Sequence, residues 1–448
     1  ATCHDVSNPA FTLSPSTGLY ELNSLGMKST TFDTYKMFPV ERTFSEWTQS
    51  SYNSVAGILG TVFGGNKSNV SSCQDCHMKD VTGKGCNKNG APIRNDLPMH
   101  DFTGGNTFVP NLIAQLYPAE VNEIALNKGV VRARTMLQNA ANLDLDVKAE
   151  NGVYEAYVKI TNETGHKLPS GYPEGRRMWI QLIAYDSNDK IVYESGAYDA
   201  STGTLTKFST EYNNDTKIYE AKLGMSSDIE TASGNSNYGD GSSFHFVLNN
   251  KVVKDNRIPP RGFTNANFEA IQAAPIAYSY PDDAYFDTTE YNLPLSTKRI
   301  VVKLLYQTTS KEYVEFLRDE NKTNNAGQLL YNLWDTNGKS TPEIMNTAEF
   351  FTETLAVEDF NPLLINQFKV FPNPAKNEVN ISFKLMDEEY ASLEVYAMNG
   401  KKMVTLLNGK KSISQQNIKW KVDHIPAGIY IIKFKYGNKL KSSLLRIK

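Results

Sequence analysis

The sequence predicts a mainly β chain, with a small α and loop-rich N-terminal part, a β-sandwich-like middle domain and a C-terminal β-sandwich. Three observations predict it. From about Asp144 onward, apolar residues recur with a period of two rather than the helical 3.6. Aromatic residues are abundant, 24 Tyr and 21 Phe, and frequent Gly, Asn, Ser and Thr accompany them, a composition that suits strands joined by turns. Residues 1 to about 110 are rich in Gly, Asn and Ser and leave room only for short helices. A chain of 448 residues also exceeds the usual size of one domain. The expected division is 1–143, 144–357 and 364–448.

Taken in order, the first helix is expected within "EWTQSSYNSVAGILG" (46–60). The stretch 112–143 follows a 3.6 period through Val121, Ile124, Ala125, Val131, Met136, Leu137 and Ala140, which predicts a long helix opened by Pro118. Next, "VYEAYVKI" places Tyr154, Ala156, Val158 and Ile160 on one strand face. "MWIQLIAYDSNDKIVYESG" reads as a hairpin turning at Ser187-Asn188-Asp189. The nearly continuous apolar run "KRIVVKLLYQ" fits a strand covered on both faces. Helical patterns interrupt the β region at "SKEYVEFLRDEN" and "AGQLLYNLWD". A linker is expected at 358–367, followed by an immunoglobulin-like sandwich with tight turns at Asn399-Gly400 and Gly437-Asn438.

The charge is uneven. Residues 364–448 hold 14 Lys and 1 Arg against 6 acidic residues, a net +9, whereas the remainder carries −12. The basic residues alternate with apolar ones, the pattern of a solvated sheet face rather than of a nucleic-acid surface. No run of 18 or more apolar residues is present, so no transmembrane helix is expected.

The chemistry gathers in the first fifth of the chain, which contains all four cysteines: Cys3, Cys73, Cys76 and Cys86. Cys73-Gln74-Asp75-Cys76-His77 is the strongest signal. Two thiols at this spacing can add to the two vinyl groups of a haem, and the adjacent His77 then meets the iron as axial ligand. Two other uses of the residues are half of a zinc site, which needs more ligands than Cys86 supplies, and a redox dithiol, normally found where a helix follows a strand. Cys3-His4 has the form of the last two residues of a second such motif, and the sequence is read as an N-terminally incomplete piece. Cys86 has no local partner; a bond to Cys3, a bond to a cysteine upstream and a free thiol all remain open.

An iron held by His77 can take a second ligand. His100, in the Gly-rich "LPMHDFTGGN", can fold back over a haem. His166, in "NETGHKLPSGYP", sits in a turn and can project outward. His245, in "SSFHFV", lies on a strand-like run. Met78 and Met99 are rivals, and Arg94, Arg176 and Arg177 suit haem propionates through paired hydrogen bonds.

Two resemblances follow from these residues. Over about 1–357, "CQDCHM", "HDFTGGNTFVP", "TGHKLPSGYPEGRRMWI", "DNRIPPRGF" and "YQTTSKEYVEFLRDEN" together resemble a group of bacterial multihaem c-type cytochromes. That resemblance implies distal haem ligation by His100 and His166, less directly by His245. This chain carries one full and one partial motif where that group has several. Over 364–448, "FKVFPNPAKNEVNISF", "LEVYAMNGKKM" and "IPAGIYIIKF" resemble the C-terminal sorting domain of type IX secretion in Bacteroidetes. It implies transport across the outer membrane, often with later removal of the tail.

Together these imply a secreted or cell-surface multihaem cytochrome, reached through the periplasm, that transfers electrons. Its cofactor would be haem c at Cys73, Cys76 and His77, with a second at Cys3 and His4. The expected partners are redox proteins or an extracellular electron acceptor, and the type IX secretion machinery, with no nucleic acid. The alternatives are a haem oxidoreductase acting on a small nitrogen or sulfur compound and a haem-bearing surface binding protein.

Overall fold

The computed structural model describes residues 2–23, 34–59, 62–237, 239–352, 368–385, 389–397, 401–411, 414–436 and 439–448. Residues 1–352 form one compact unit and 353–448 a second. The expected linker at 358–367 and the turns at Asn399-Gly400 and Gly437-Asn438 lie outside the described residues.

The first unit is built around two antiparallel sheets. One runs in the order Ile191–Ser195, Arg177–Tyr185, Arg299–Gln307, Glu343–Phe351, and the short strand Ile218–Tyr219 also pairs with Arg177–Tyr185. The other runs Phe286–Leu293, Val153–Asn162, Ala141–Glu150. Their inward side chains share one core: Ala156, Val158 and Ile160 from one sheet, Met178, Ile180, Leu182, Ile300, Val302 and Leu304 from the other, all fully buried. The period-two reading of these strands holds because each has one face on this core. The run 299–307 is covered on its far side too, where Leu305 packs with Trp179, Leu205 and Ile218. In the hairpin, Asp186 Oδ1 accepts from the Asn188 and Lys190 amides, and Asp189 takes a left-handed φ of 56°.

The long N-terminal helix is two helices, Val109–Leu116 and Glu123–Ala140. Pro118 lies in the loop between them rather than opening the second, and the cap is Asn122, whose side chain accepts from the Ala125 amide. The shorter helix takes Pro110 in its first turn. Further upstream only Thr43–Thr48 and the five-residue Cys73–His77 are α-helical among the described residues. The two helical interruptions form Lys311–Glu320 and Ala326–Thr336.

The second unit is a sandwich by itself. Strands Lys369–Phe371, Glu378–Leu385 and Ser414–Lys421 form one sheet; Lys402–Lys411, Glu389–Ala397, Gly428–Tyr436 and Lys439–Ile447 form the other. Val379, Ile381, Phe383, Leu393, Val395, Ile432 and Leu445 fill the space between them.

Candidate haem-binding site

The motif helix Cys73–His77 is held by a reciprocal cap. Ser72 Oγ accepts from the Asp75 amide at 3.3 Å, and Asp75 Oδ2 accepts from the Ser72 and Ser71 amides at 2.9 Å each. Burial disfavours the Asp75 carboxylate, but the Lys67 ammonium and these two amides outweigh it and hold its pKa down at about 2. Asp75, one of the two residues between the cysteines, thus fixes the helix that spaces them. Cys76 packs against the buried cluster of Tyr52, Phe63 and Val70, on which Trp47, Ile58 and Met136 also pack. Burial, with the Asp75 charge second, pushes its thiol up to about 12, and burial also raises Cys73. A redox dithiol needs the reverse, a depressed pKa. Among the described residues no three His, Cys, Asp or Glu side chains gather to hold a metal ion, so a zinc site finds no ligand set.

The imidazole of His77 faces that of His166. Their ring centres are 6.5 Å apart and their planes 17° from parallel. Each ring is oriented by a backbone carbonyl: His77 Nδ1 donates to Thr103 O at 2.5 Å, and His166 Nδ1 to Lys167 O at 2.9 Å. This assigns the proton to Nδ1 on both rings and leaves each Nε2 with a free lone pair. With metal–nitrogen bonds of about 2 Å and about 1.1 Å from Nε2 to ring centre, two imidazoles across one metal place their centres about 6.2 Å apart. The observed separation of 6.5 Å is close to that value, so His77 and His166 are the two residues that would hold a metal between them.

His166 does not project outward as the turn suggested. Asn162 Nδ2 donates to the carbonyls of His166, Ile258 and Pro259 at 2.8, 2.9 and 3.0 Å, drawing the loop inward. A Cβ at Gly165 would come within 3.1 Å of Trp47 and 3.3 Å of Tyr52, so a side chain there would crowd the motif's apolar surroundings. Tyr52 itself donates to Glu163 O at 2.6 Å. Burial, with the nearby His77 adding to it, lowers the His166 pKa and keeps the ring neutral, as a metal ligand requires.

The other expected residues are placed elsewhere. His100 is exposed and packs edge-on against Phe102; the ring that meets His77 is that of His166, and the "HDFTGG" loop acts on His77 through Thr103 instead. His245 is in an irregular turn rather than a strand, edge-on to Phe316. Cys3 and His4 are exposed on the short turn Thr2–His4. Cys3 and Cys86 are exposed, unpaired thiols. Of the arginines, Arg94 pairs with Asp96 on the surface and Arg176 donates to Ser170 O. Arg177 is buried and bonded to Gln307 and Glu312, neither solvated nor free for a propionate.

Sequence reasoning missed a buried set of four charges behind His166. Lys167 Nζ is 2.6 Å from Asp255; Arg257 binds Asp255 through two hydrogen bonds of 2.8 and 2.6 Å; Arg257 Nη2 is 3.3 Å from Glu46. The signal was present in the quoted stretches "GHKLP" and "DNRIPP", which set charges among apolar residues and prolines.

Residues 369–448 match the family model of the secretion system C-terminal sorting domain. The chain therefore carries a sorting domain of type IX secretion, which directs proteins to the cell surface or the extracellular space. No helix among the described residues is long and apolar enough to cross a membrane. No curated protein matches the chain. Among solved structures it is similar to a penta-haem cytochrome c552 from Thermochromatium tepidum, with 15% identity over 70% of this chain and 51% of that one and a TM-score of 0.35. It is also similar to dimeric latent PorU from Porphyromonas gingivalis, with 10% identity over 69% of this chain and 34% of that one and a TM-score of 0.16. The chain thus spans about half the length of the first and a third of the second.

Proposed function

We propose that this exported protein is a c-type cytochrome that holds a haem through Cys73 and Cys76, ligates it with His77 and His166, and transfers single electrons. The observation that carries the reading is the facing pair of imidazoles beside a Cys-x-x-Cys-His helix, each with Nδ1 tied to a carbonyl and Nε2 free. When bound, the haem supplies reversible one-electron chemistry at its iron.

The residues of the chain do the rest. The capped helix presents Cys73 and Cys76 at fixed spacing and points His77 back toward the body of the protein. Thr103 and Lys167 hold the two rings with their carbonyls, which raises the basicity of each Nε2 and fixes its direction. The cluster of Trp47, Tyr52, Phe63 and Met136 keeps water from one side of the site. Two strong nitrogen ligands would leave no position open to a substrate, which favours electron transfer over turnover of a small nitrogen or sulfur compound. Redox proteins or an extracellular acceptor would be the partners.

The reading extends to Cys3 and His4, whose exposed side chains would serve a second haem. The test is expression with a haem-attachment system, a haem stain on a denaturing gel and an absorption spectrum. Covalent haem with a low-spin, six-coordinate spectrum is expected, together with haem mass on the peptide containing Cys73. A colourless product with free Cys73 and Cys76 overturns the reading.

A further inference from the structure

We infer that the buried quartet Glu46, Lys167, Asp255 and Arg257 is the positioning device for His166, so that the distal ring is presented only while the helix Thr43–Thr48 is docked. The inference rests on the haem reading above and specifies how its distal side is controlled.

The device works through one residue, Lys167. The Lys167 carbonyl holds the His166 ring at Nδ1, at 2.9 Å. The same residue is pinned at two further points: its amide donates to Glu46 Oε2 at 2.9 Å, and its ammonium is 2.6 Å from Asp255. Lys167 and Glu46 are fully buried, and Asp255 and Arg257 nearly so. Two cations and two anions balance, so the group is neutral as a whole and each charge is compensated only while all four are in place. Residue 168 closes the strap through mutual amide–carbonyl bonds with Ile258, at 2.9 and 3.0 Å.

Glu46 is the member that comes from far away in the chain, and it belongs to a helix already tied to the motif. Its neighbour Trp47 donates from Nε1 to Ser71 O at 2.8 Å, one residue before the cap of the motif helix. Ser45 on the same helix binds Asp5, next to Cys3-His4. One short helix therefore touches the proximal side, the distal strap and the N-terminal turn. If Glu46 leaves, Lys167 loses the acceptor for its amide and Arg257 loses one anion, and nothing else among the described bonds holds the Lys167 amide.

The test compares Glu46→Leu with Glu46→Gln in the full chain, expressed with a haem-attachment system. Gln keeps an acceptor for the Lys167 amide but removes the charge; Leu removes both. Expected for Glu46→Leu is retained covalent haem, with the ferric spectrum shifted from low-spin to a high-spin fraction that binds added cyanide. Expected for Glu46→Gln is a retained low-spin spectrum with a more positive midpoint potential, because an anion near the iron has been lost. In haem-free protein labelled at histidine nitrogen, His166 should be Nδ1-protonated in the wild type and in Glu46→Gln, and lose that preference in Glu46→Leu. An unchanged low-spin spectrum in folded Glu46→Leu, or an unchanged His166 tautomer there, overturns the inference. Should Glu46→Leu fail to fold, Glu46→Gln decides: an unmoved potential, or in haem-free protein a lost Nδ1 tautomer, overturns it. Absence of covalent haem in the wild type counts against the haem reading alone, since the tautomer measurement still tests the positioning.

Discussion

Replacing Asp75 by Asn tests the cap that holds the motif helix. In the folded chain its carboxyl titrates at about 2 against an ordinary 3.8. A drop of roughly two pKa units at about 1.4 kcal/mol each sets a ceiling of roughly 2–3 kcal/mol. The partner Lys67 is 45% exposed, so solvent screens much of that attraction, and about 1 kcal/mol is expected. Asn retains one oxygen for the Ser71 and Ser72 amides, so the helix loosens rather than melts. Hydrogen exchange of the segment 67–80 is the local assay: about 1 kcal/mol corresponds to roughly fivefold faster exchange at neutral pH. The sign follows from the direction of the shift. A carboxyl with a depressed pKa contributes stability above about 3.8, and that contribution fades as the pH falls through about 2. The wild-type advantage should therefore shrink between pH 4 and 2. Equal exchange in both proteins at pH 7, or a difference of the same size at pH 2, refutes the reasoning.

Three further outcomes are expected. His166→Ala should keep covalent haem but convert the ferric spectrum to one with a high-spin fraction; an unaltered low-spin spectrum would give the distal position to another residue. Glu174 is buried with one 3.4 Å bond from Asn249, and burial pushes its carboxyl up to about 8. That raised pKa contributes stability below about 4.5 that is lost as the pH rises through about 8, so Glu174→Gln should gain on the wild type by roughly 2 kcal/mol between pH 5 and 9 in urea unfolding; a gap that does not grow with pH rules this out. Ile160→Ala opens a void between the two sheets and should cost about 2–5 kcal/mol in the same assay, with a loss below about 1 kcal/mol arguing against a shared core.

The strands were legible because each turns one face to a core, and that requirement writes itself into alternate residues. Ala156, Val158 and Ile160 show it, and so do Val379, Ile381 and Phe383. The segment Cys73–His77 stood out because its cysteines and histidine are close in sequence, and the fold keeps them on one short helix. What failed depended on partners far along the chain. Pro118 satisfies the rules for a helix start, yet Asn122 supplies a side-chain cap that Pro cannot. His100 and His166 looked equivalent as ligands. They are separated in the fold by Asn162, which reaches the carbonyls of residues 258 and 259, and by Thr103, which turns the "HDFTGG" loop into a support for His77. The charged quartet joins residues 46, 167, 255 and 257, and no local pattern links such distant positions.

The helix Glu123–Ala140 passes into the strand Ala141–Glu150 with no residue between them. Met136 packs against the same cluster of Tyr52, Phe63 and Val70 as Cys76 does, while Leu137, its neighbour, belongs to the sandwich core. Gly105, from the loop that orients His77, leaves so little room against Leu137 that a side chain there would come within 2.9 Å. One wall of the site is therefore continuous with a β-sheet, and close-packed interiors yield little to a change of charge. If the site carries the haem proposed above, surroundings that stiff would keep its reorganisation energy low, so that a small driving force would suffice in either direction.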